Sequence, residues 1–298
     1  MNTDFIISCE STTDIEYSYF ERREIPVLFY KYTLDGKEYE DNMGRDADSL
    51  KFFYEKISQN ILPTTSQINE FSYLEFFEGL LHKNKPVLHI AFGSGMTPSV
   101  TNAVNAAKKV NEKVGEERII VIDSRCSCGG YGLLVVMAYE MLKNGKSLEE
   151  TKNQILDLSL KVQHQFFSTD MKYFRRSGRV SGATATVASI LGICPIMHLN
   201  YDGKIIAYDK VRGKKKALKR TLEEMIAHAE NGTDYSGLCY INHSNCYGDA
   251  LTLKKDIEAV FKNLKGKVVI RDIGNIVASH CGPGTIALFY VGDVRSEV

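Results

Sequence analysis

The chain has 298 residues, of which 44% are apolar and 25% are charged, a composition that is typical of globular proteins and excludes a disordered chain. Its formal net charge is zero, which excludes an overall field that would attract nucleic acid or an anionic membrane. No apolar run reaches the roughly 18 residues that a membrane-spanning helix needs, and no basic segment precedes the first apolar stretch, as it would in a signal peptide.

Strands and helices alternate in the first part of the chain. A short strand at 5–8 ends in a polar cluster, and a strand-rich stretch at 25–32 turns through Leu34-Asp35-Gly36, a hairpin signal. The elements that follow are helices at 46–57 and 69–81, a strand at 87–91, a helix at 97–114, a strand at 119–122, and helices at 130–142 and 148–160. This order is typical of a parallel sheet that is covered by helices on both faces.

Hairpins and long helices are mixed in the second part of the chain. The predicted elements are a strand at 162–168, a helix at 183–191, a hairpin of 195–199 and 204–209, a basic helix at 214–229, a strand at 237–243, a helix at 249–264, and strands at 268–273 and 285–291. We therefore predict an α/β protein with two domains. An N-terminal parallel-sheet α/β/α domain (1–160) precedes a C-terminal two-layer α+β sandwich (161–298) with helices on one face of its sheet.

Two hydroxyl-rich loops of the first part lie where ligands bind in open α/β sheets, beyond the carboxyl ends of the strands. Gly93-Ser94-Gly95 separates a strand from a helix, so its backbone can approach a ligand and the helix start offers free N–H groups to an anion. Thr64-Thr65-Ser66-Gln67 also precedes a helix. Each loop alone is equally typical of a helix cap, with Ser66 or Thr65 capping the second helix. Together they can converge on one carboxylate.

Three further candidates lie in the second part. His280 is predicted on a tight turn, 280–284, between two strands, where it can donate to an anion and titrate near neutral pH. Arg212 precedes a glycine and can point inward, although most of the basic run around it is typical of a solvated helix face. The basic loop with Arg175, Arg176 and Arg179 suits a phosphate or an acidic partner surface.

Other site types do not match the sequence. The seven cysteines are odd in number and never spaced C-x-x-C, which predicts reduced thiols in a cytoplasmic protein. Cys239, His243 and Cys246 lack a fourth zinc ligand in sequence, so we predict no metal and no cofactor. The first strand is followed by neither a Walker loop nor G-x-G-x-x-G, and a G-x-S-x-G elbow is absent.

These segments together resemble the DegV family of bacterial fatty acid-binding proteins over nearly the whole chain. The matching pieces of the first part are Ser11-Thr12-Thr13-Asp14, Thr65-Ser66-Gln67, Ser94-Gly95 and Ile122-Asp123-Ser124. The second part adds the segment 173–181, Lys210-Val211-Arg212-Gly213 and the segment 280–284. The chain departs from the family pattern at Glu10, which replaces an Asp, at Met96-Thr97-Pro98, which replaces Leu-Ser-Gly, and at Ser177, which replaces a glycine.

The resemblance implies that a long-chain fatty acid lies between the two domains. Thr65 and Ser94, with Gly95 beside it, would hold the carboxylate, and His280 and Arg212 would support it from the second domain. Some family members present this carboxylate to a partner kinase that makes an acyl phosphate for phospholipid synthesis. By the same resemblance, the segment with Arg175, Arg176 and Arg179 is a candidate docking surface for that kinase.

Two alternatives stay open at the level of sequence. The chain could be an enzyme that acts on a small phosphorylated or acyl substrate, with Ser94 or His280 in catalysis. It could also be a docking module that works through its basic loops, in which case the cleft between the domains would be empty and polar. Acyl chain length, the presence of a partner kinase and the oligomeric state do not follow from the sequence.

Overall fold

A computed structural model describes residues 4–180 and 192–297 of the chain. The first part contains a four-stranded parallel sheet with the strand order β2-β1-β6-β7. Its strands are β1 (Ile6–Glu10), β2 (Val27–Leu28), β6 (Val87–Ala91) and β7 (Ile119–Asp123). The helices of this part are α1 (Tyr17–Glu21), α2 (Ser49–Ser58), α3 (Glu70–Leu81), α4 (Ser99–Val114), α5 (Cys128–Lys143) and α6 (Leu148–Ser159).

A small antiparallel sheet stands beside the parallel one. It has the order β4-β3-β5 and consists of β3 (Lys31–Leu34), β4 (Lys37–Glu40) and β5 (Thr64–Ser66). The predicted hairpin turn at Asp35 and Gly36 is confirmed, and both residues have a positive φ. Thr65 lies in a strand, so it does not cap α3. The Asn69 side chain caps that helix by accepting a hydrogen bond from the Ser72 N–H.

The second part forms a mixed sheet of six strands with the order β10-β9-β8-β13-β11-β12. Its strands are β8 (Val162–Ser168), β9 (Ile193–Leu199), β10 (Ile205–Arg212), β11 (Tyr240–His243), β12 (Val269–Asp272) and β13 (Thr285–Val291). The helices are α7 (Lys172–Ser177), α8 (Lys214–His228), α9 (Tyr247–Val260) and α10 (Asn275–Cys281). The predicted α/β class, with a parallel sheet followed by a mixed one, is confirmed.

Helices contact both faces of the six-stranded sheet. Tyr290 of β13 donates from its hydroxyl to the Glu224 carbonyl of α8. Its neighbour Phe289 faces the opposite way, toward Gly129 and Gly130 of α5. Both glycines are required there, because a Cβ at either position would overlap the Phe289 ring. The face that is opposite to α8 is thus covered by α5 of the first part, which is a contact between the two parts and not a helix of the second domain.

Three short helices, α1, α7 and α10, were not predicted. The loop predicted for 175–179 contains the end of α7, which terminates at Gly178 in the left-handed conformation. The turn predicted around His280 is in fact the last turn of α10. The helix predicted at 183–191 lies outside the described residues, and the domain boundary near residue 160 stays a prediction.

Within the residues described, there is no helix that is both long and apolar enough to span a membrane.

Candidate functional site

A cavity of about 330 Å³ lies between the parallel sheet, the small sheet and the six-stranded sheet. This volume is at the lower end of the range of about 300–1,000 Å³ that is usual for small-molecule sites. Both parts of the chain contribute to its wall, because β8, β9, β10, β13 and α10 face β5 and the loop between β6 and α4 across it. The cavity therefore exists only when the two parts are packed together.

Most of the cavity wall is apolar. Phe166 of β8 and Phe174 of α7 stack with their ring centroids 6.0 Å apart, and Phe289 lies on the next strand. Leu199 and Ile205 line the cavity from opposite arms of the β9–β10 hairpin and are paired in register. Such a wall excludes water and favours an apolar ligand.

Polar side chains gather at one part of the wall. The Thr65 hydroxyl and Nε2 of His280 are 2.8 Å apart and form a hydrogen bond. Thr65 is held by the pairing of β5 with β3, where it lies opposite Tyr32, and His280 is held by α10, which packs against β3, β5 and α7. The structure thus joins two predicted site residues that are 215 positions apart in sequence.

His280 is neutral in this site at physiological pH. Burial, followed by the positive charges of Arg179 and Arg176, lowers its pKa from 6.5 to about 4. The imidazole therefore has one N–H donor and one acceptor nitrogen near pH 7. The prediction that His280 titrates near neutral pH is wrong for this environment, because both causes disfavour the charged ring.

The arginines of the basic segment differ in their positions. Arg179 lines the cavity, and its Nε–H donates to the Met96 carbonyl at 3.5 Å. Arg176 donates to the Pro63 carbonyl at 2.5 Å and so ties α7 to the segment that precedes β5. Arg175 is exposed on α7. One of the three predicted docking residues therefore lies at the mouth of the cavity.

Ser94 does not join Thr65 at the cavity wall, which corrects the predicted pairing of these two hydroxyls. Ser94 is exposed, and its backbone N–H donates to Asp123 at 3.0 Å. The loop turns back at this point, with the Met96 N–H donating to the Gly93 carbonyl at 2.9 Å. As a result Thr97, which is buried, lines the cavity where Ser94 was predicted to do so.

Gly95 and Arg212 are also placed differently from the prediction, since neither lies on the cavity wall. A Cβ at Gly95 would collide with the backbone carbonyl of Gly203 in the turn of the β9–β10 hairpin. Gly95 is therefore required for a close backbone contact. Arg212 is exposed at the last position of β10.

Thr97 was missed as a site residue, although the sequence contained a signal for it. Its hydroxyl lies 2.9 Å from the hydroxyl of Ser99 and accepts from the Ser99 N–H at 3.3 Å. Ser99 in turn accepts from the Ile68 N–H at 3.2 Å, which links this loop to the segment after β5. The signal was that Thr97 carries the second hydroxyl of this loop and directly precedes Pro98, the N-cap position of α4.

The polar group at the cavity, formed by Thr65, Thr97, Arg179 and His280, suits an anion attached to an apolar body. Two hydroxyls and one neutral imidazole can donate hydrogen bonds, and a guanidinium stands at the mouth. Among the described residues, no group of three or more His, Cys, Asp or Glu side chains is arranged to hold a metal ion.

Known proteins resemble this chain along its whole length. The model of the DegV family, described as a family of uncharacterised proteins, matches residues 5–293. The chain belongs to the DegV family. A DegV domain-containing protein of Clostridium perfringens is 32% identical over 291 residues, covering 98% of both chains. Another, from Lactococcus lactis, is 30% identical over 293 residues, covering 98% of this chain and 99% of its own.

Solved structures of DegV proteins share the fold. A protein of Thermus thermophilus, described as a fatty acid-binding DegV family protein, superimposes with a TM-score of 0.84 at 23% identity and covers 97% of this chain and 99% of its own. DegV of Bacillus subtilis, described as a fatty acid-binding protein, has a TM-score of 0.80 at 24% identity, with the same coverage. The resemblance drawn from the sequence is thereby confirmed as family membership.

Proposed function

We propose that this DegV protein binds a long-chain fatty acid in the cavity between its sheets and acts as a carrier. The observation that supports this most strongly is a largely apolar cavity in which two polar side chains of the wall, Thr65 and His280, meet at one place. The descriptions of the Thermus thermophilus and Bacillus subtilis structures as fatty acid-binding proteins agree with this ligand class.

The apolar wall supplies the favourable free energy of binding. Each methylene group that leaves water for an apolar environment gains about 0.8 kcal/mol, so a long acyl chain gains roughly 10 kcal/mol before ordering costs. The aromatic and aliphatic side chains along the wall, Phe166, Phe174, Leu199, Ile205 and Phe289, are the surface against which the chain would pack.

The polar group meets the carboxylate, which is costly to bury without hydrogen-bond donors. In the tautomer with Nε2 protonated, His280 donates to the Thr65 oxygen, and the Thr65 hydroxyl is free to donate to the ligand. Thr97 supplies a second hydroxyl in place of the predicted Ser94. The hydroxyls hold the carboxylate without a close salt bridge, which leaves its oxygens available for chemistry by a partner.

Presentation of the carboxylate to a fatty acid kinase, which makes an acyl phosphate for phospholipid synthesis, completes the proposal. Arg179 is at the cavity mouth and Arg175 is exposed nearby on α7, so a partner bound to this surface would lie close to the head group. Arg175→Ala with Arg179→Ala should weaken kinase binding at least tenfold in surface plasmon resonance. Lys215→Ala with Lys216→Ala, which removes the same charge from α8, should not; equal effects would contradict the docking surface.

Ligand identification tests the binding proposal directly. Protein purified under native conditions should release a long-chain fatty acid that mass spectrometry of an organic extract detects. Thr65→Val should reduce its retention about tenfold, because a hydrogen bond to a charged group is lost. Thr64→Val is the matched control, since Thr64 precedes Thr65 in β5 and is exposed. Retention that is unchanged in Thr65→Val would reject the site.

The enzyme alternative gains no support from the geometry. Ser94 is exposed and off the cavity wall on which His280 lies, so the two proposed catalytic groups are not paired. His280 is bonded to Thr65 instead, and its lowered pKa makes it a weak general base.

A further inference from the structure

One polar atom on the cavity wall has no hydrogen-bond partner among the described residues. Tyr30 lines the cavity and is 3% exposed, and its hydroxyl is buried without a partner. A buried hydroxyl left in this state is destabilising, and such groups are rare in folded proteins. A ligand that brings a hydrogen-bond acceptor into the cavity would satisfy this hydroxyl.

The position of Tyr30 places it with the polar group already described. It directly precedes β3, which pairs with β5 so that Tyr32 lies opposite Thr65. Its ring meets Phe92 edge-on, with centroids 6.1 Å apart, and Phe92 begins the loop that leads to Thr97. Tyr30 thus stands between the two hydroxyl-bearing segments of the site.

The polar side chains nearest to the Tyr30 hydroxyl are those of Glu10, Thr97 and Ser99, and none of them forms a hydrogen bond of normal geometry with it. Glu10 accepts hydrogen bonds from the Tyr73 hydroxyl and, at 2.9 Å, from the Phe92 N–H. The Thr97 and Ser99 hydroxyls bond each other. Burial, followed by the negative charge of Glu10, raises the pKa of Tyr30 well above its ordinary value, so its hydroxyl keeps the proton. The Tyr30 hydroxyl is therefore a donor with acceptors close by but without a hydrogen bond of normal geometry.

We propose that Tyr30 is a further head-group ligand, whose hydroxyl donates a hydrogen bond to the carboxylate of the bound fatty acid. This inference rests on the proposed function, because it takes the occupant of the cavity to be an acid. It also assigns Tyr30 a role in specificity. A hydrogen bond to a charged acceptor is stronger than one to a neutral ester, so Tyr30 favours the ionised acid over its ester.

Tyr30→Phe tests the inference, because it removes only the hydroxyl and keeps the ring beside Phe92. In protein stripped of lipid, affinity for palmitate should fall about tenfold, whereas affinity for methyl palmitate should change less than twofold. Isothermal titration calorimetry measures both. The ligand-free variant should unfold at the same temperature as the wild type or higher, because the lost hydroxyl had no partner.

Tyr131→Phe is the matched control. The Tyr131 hydroxyl is buried and fully partnered, since it accepts from the Glu10 N–H at 2.8 Å and donates to the Ile90 carbonyl at 2.6 Å. This variant should unfold at a lower temperature and keep the wild-type ratio of acid to ester affinity.

The role of Tyr30 and the proposed function would be contradicted by different results. If Tyr30→Phe keeps the wild-type ratio while Thr65→Val loses palmitate, Tyr30 is not a head-group ligand and the proposed function stands. If the wild type binds neither palmitate nor its ester, the proposed function itself fails, and the inference fails with it.

Discussion

Two buried carboxyl groups lie four residues apart, Glu10 at the end of β1 and Asp14 just after it, and their surroundings differ. Glu10 accepts hydrogen bonds from the Tyr73 hydroxyl and the Phe92 N–H, and Nε2 of His89 lies 3.3 Å away. Asp14 accepts one hydrogen bond from the Gly274 N–H at 3.1 Å, and its second oxygen has no partner among the described residues. Both oxygens of Glu10 thus have an O–H or N–H donor, whereas Asp14 has one N–H donor and the weakly donating thiol of Cys128 close by.

The difference between the two sites affects the pKa of the carboxyl groups around Asp14. Burial raises the pKa of Asp14 to about 8 and that of its neighbour Asp41 to about 7. A carboxyl group without enough donors is therefore held partly in its acid form at neutral pH. The same rule would apply to the fatty acid that we propose for the cavity, whose carboxylate would stay ionised only where donors such as Thr65 and Thr97 meet it.

The largest expected effect comes from breaking the Glu10 site. Glu10→Ala leaves the Tyr73 hydroxyl and the Phe92 N–H buried without an acceptor, so the free energy of unfolding should fall by about 3 kcal/mol or more. Urea denaturation measures it. Glu112→Ala, at an exposed position of α4, is the control and should change stability by less than about 0.5 kcal/mol. If Glu10→Ala also lowers the free energy of unfolding by less than about 0.5 kcal/mol, the hydrogen bonds to Glu10 do not stabilise the fold as we expect.

A smaller effect is expected from the pH dependence of the Asp14 site. The folded-state pKa of Asp14 is raised, so the folded chain binds a proton that the unfolded chain has released, and this contribution is lost as pH rises toward 8. Between pH 6 and 8, the free energy of unfolding of the wild type should fall by about 2 kcal/mol relative to Asp14→Asn. Both proteins share every other titrating group. Parallel pH profiles in urea denaturation would show that Asp14 is ionised throughout.

Substitutions at the two hydroxyls of the loop after β6, Ser94 and Thr97, are expected to have still smaller effects in free energy. They distinguish which of the two hydroxyls contributes to fatty acid binding. Thr97→Val should weaken fatty acid binding about tenfold, because it removes a donor at the cavity while keeping the side-chain volume. Ser94→Ala should change binding less than twofold, since Ser94 is exposed and off the cavity wall. Displacement of a fluorescent fatty acid measures both. The reverse order would restore the pairing that the sequence predicted.

Much of the fold could be predicted from the sequence where local patterns decide the structure. The bounds of β6, β8 and β13 agree with the prediction, because each is a short run of buried residues between turn or loop signals. Helices α7 and α10 could not be predicted in the same way. They have six and seven residues, too few for stable isolated helices, and they form because they pack against each other.

The site was predictable in its residue types and less so in its geometry. Thr65 and His280 were named from the sequence, but their contact depends on the pairing of β5 with β3 and on the packing of α10. The choice between Ser94 and Thr97 depends on how the loop turns, and this turn depends on Asp123, which accepts from the Ser94 N–H. Such long-range contacts are not encoded in any local pattern.

The contact between Gly95 and Gly203 has a consequence for the shape of the cavity. It brings two main chains together with no side chain between them, and the hairpin held in this way carries Leu199 and Ile205 on its arms. The distance between this hairpin and the loop after β6 is thus set by a contact of main chains, which substitutions of the wall side chains leave in place. An alanine at residue 95 would push the hairpin away from the loop and so move Leu199 and Ile205 on the cavity wall.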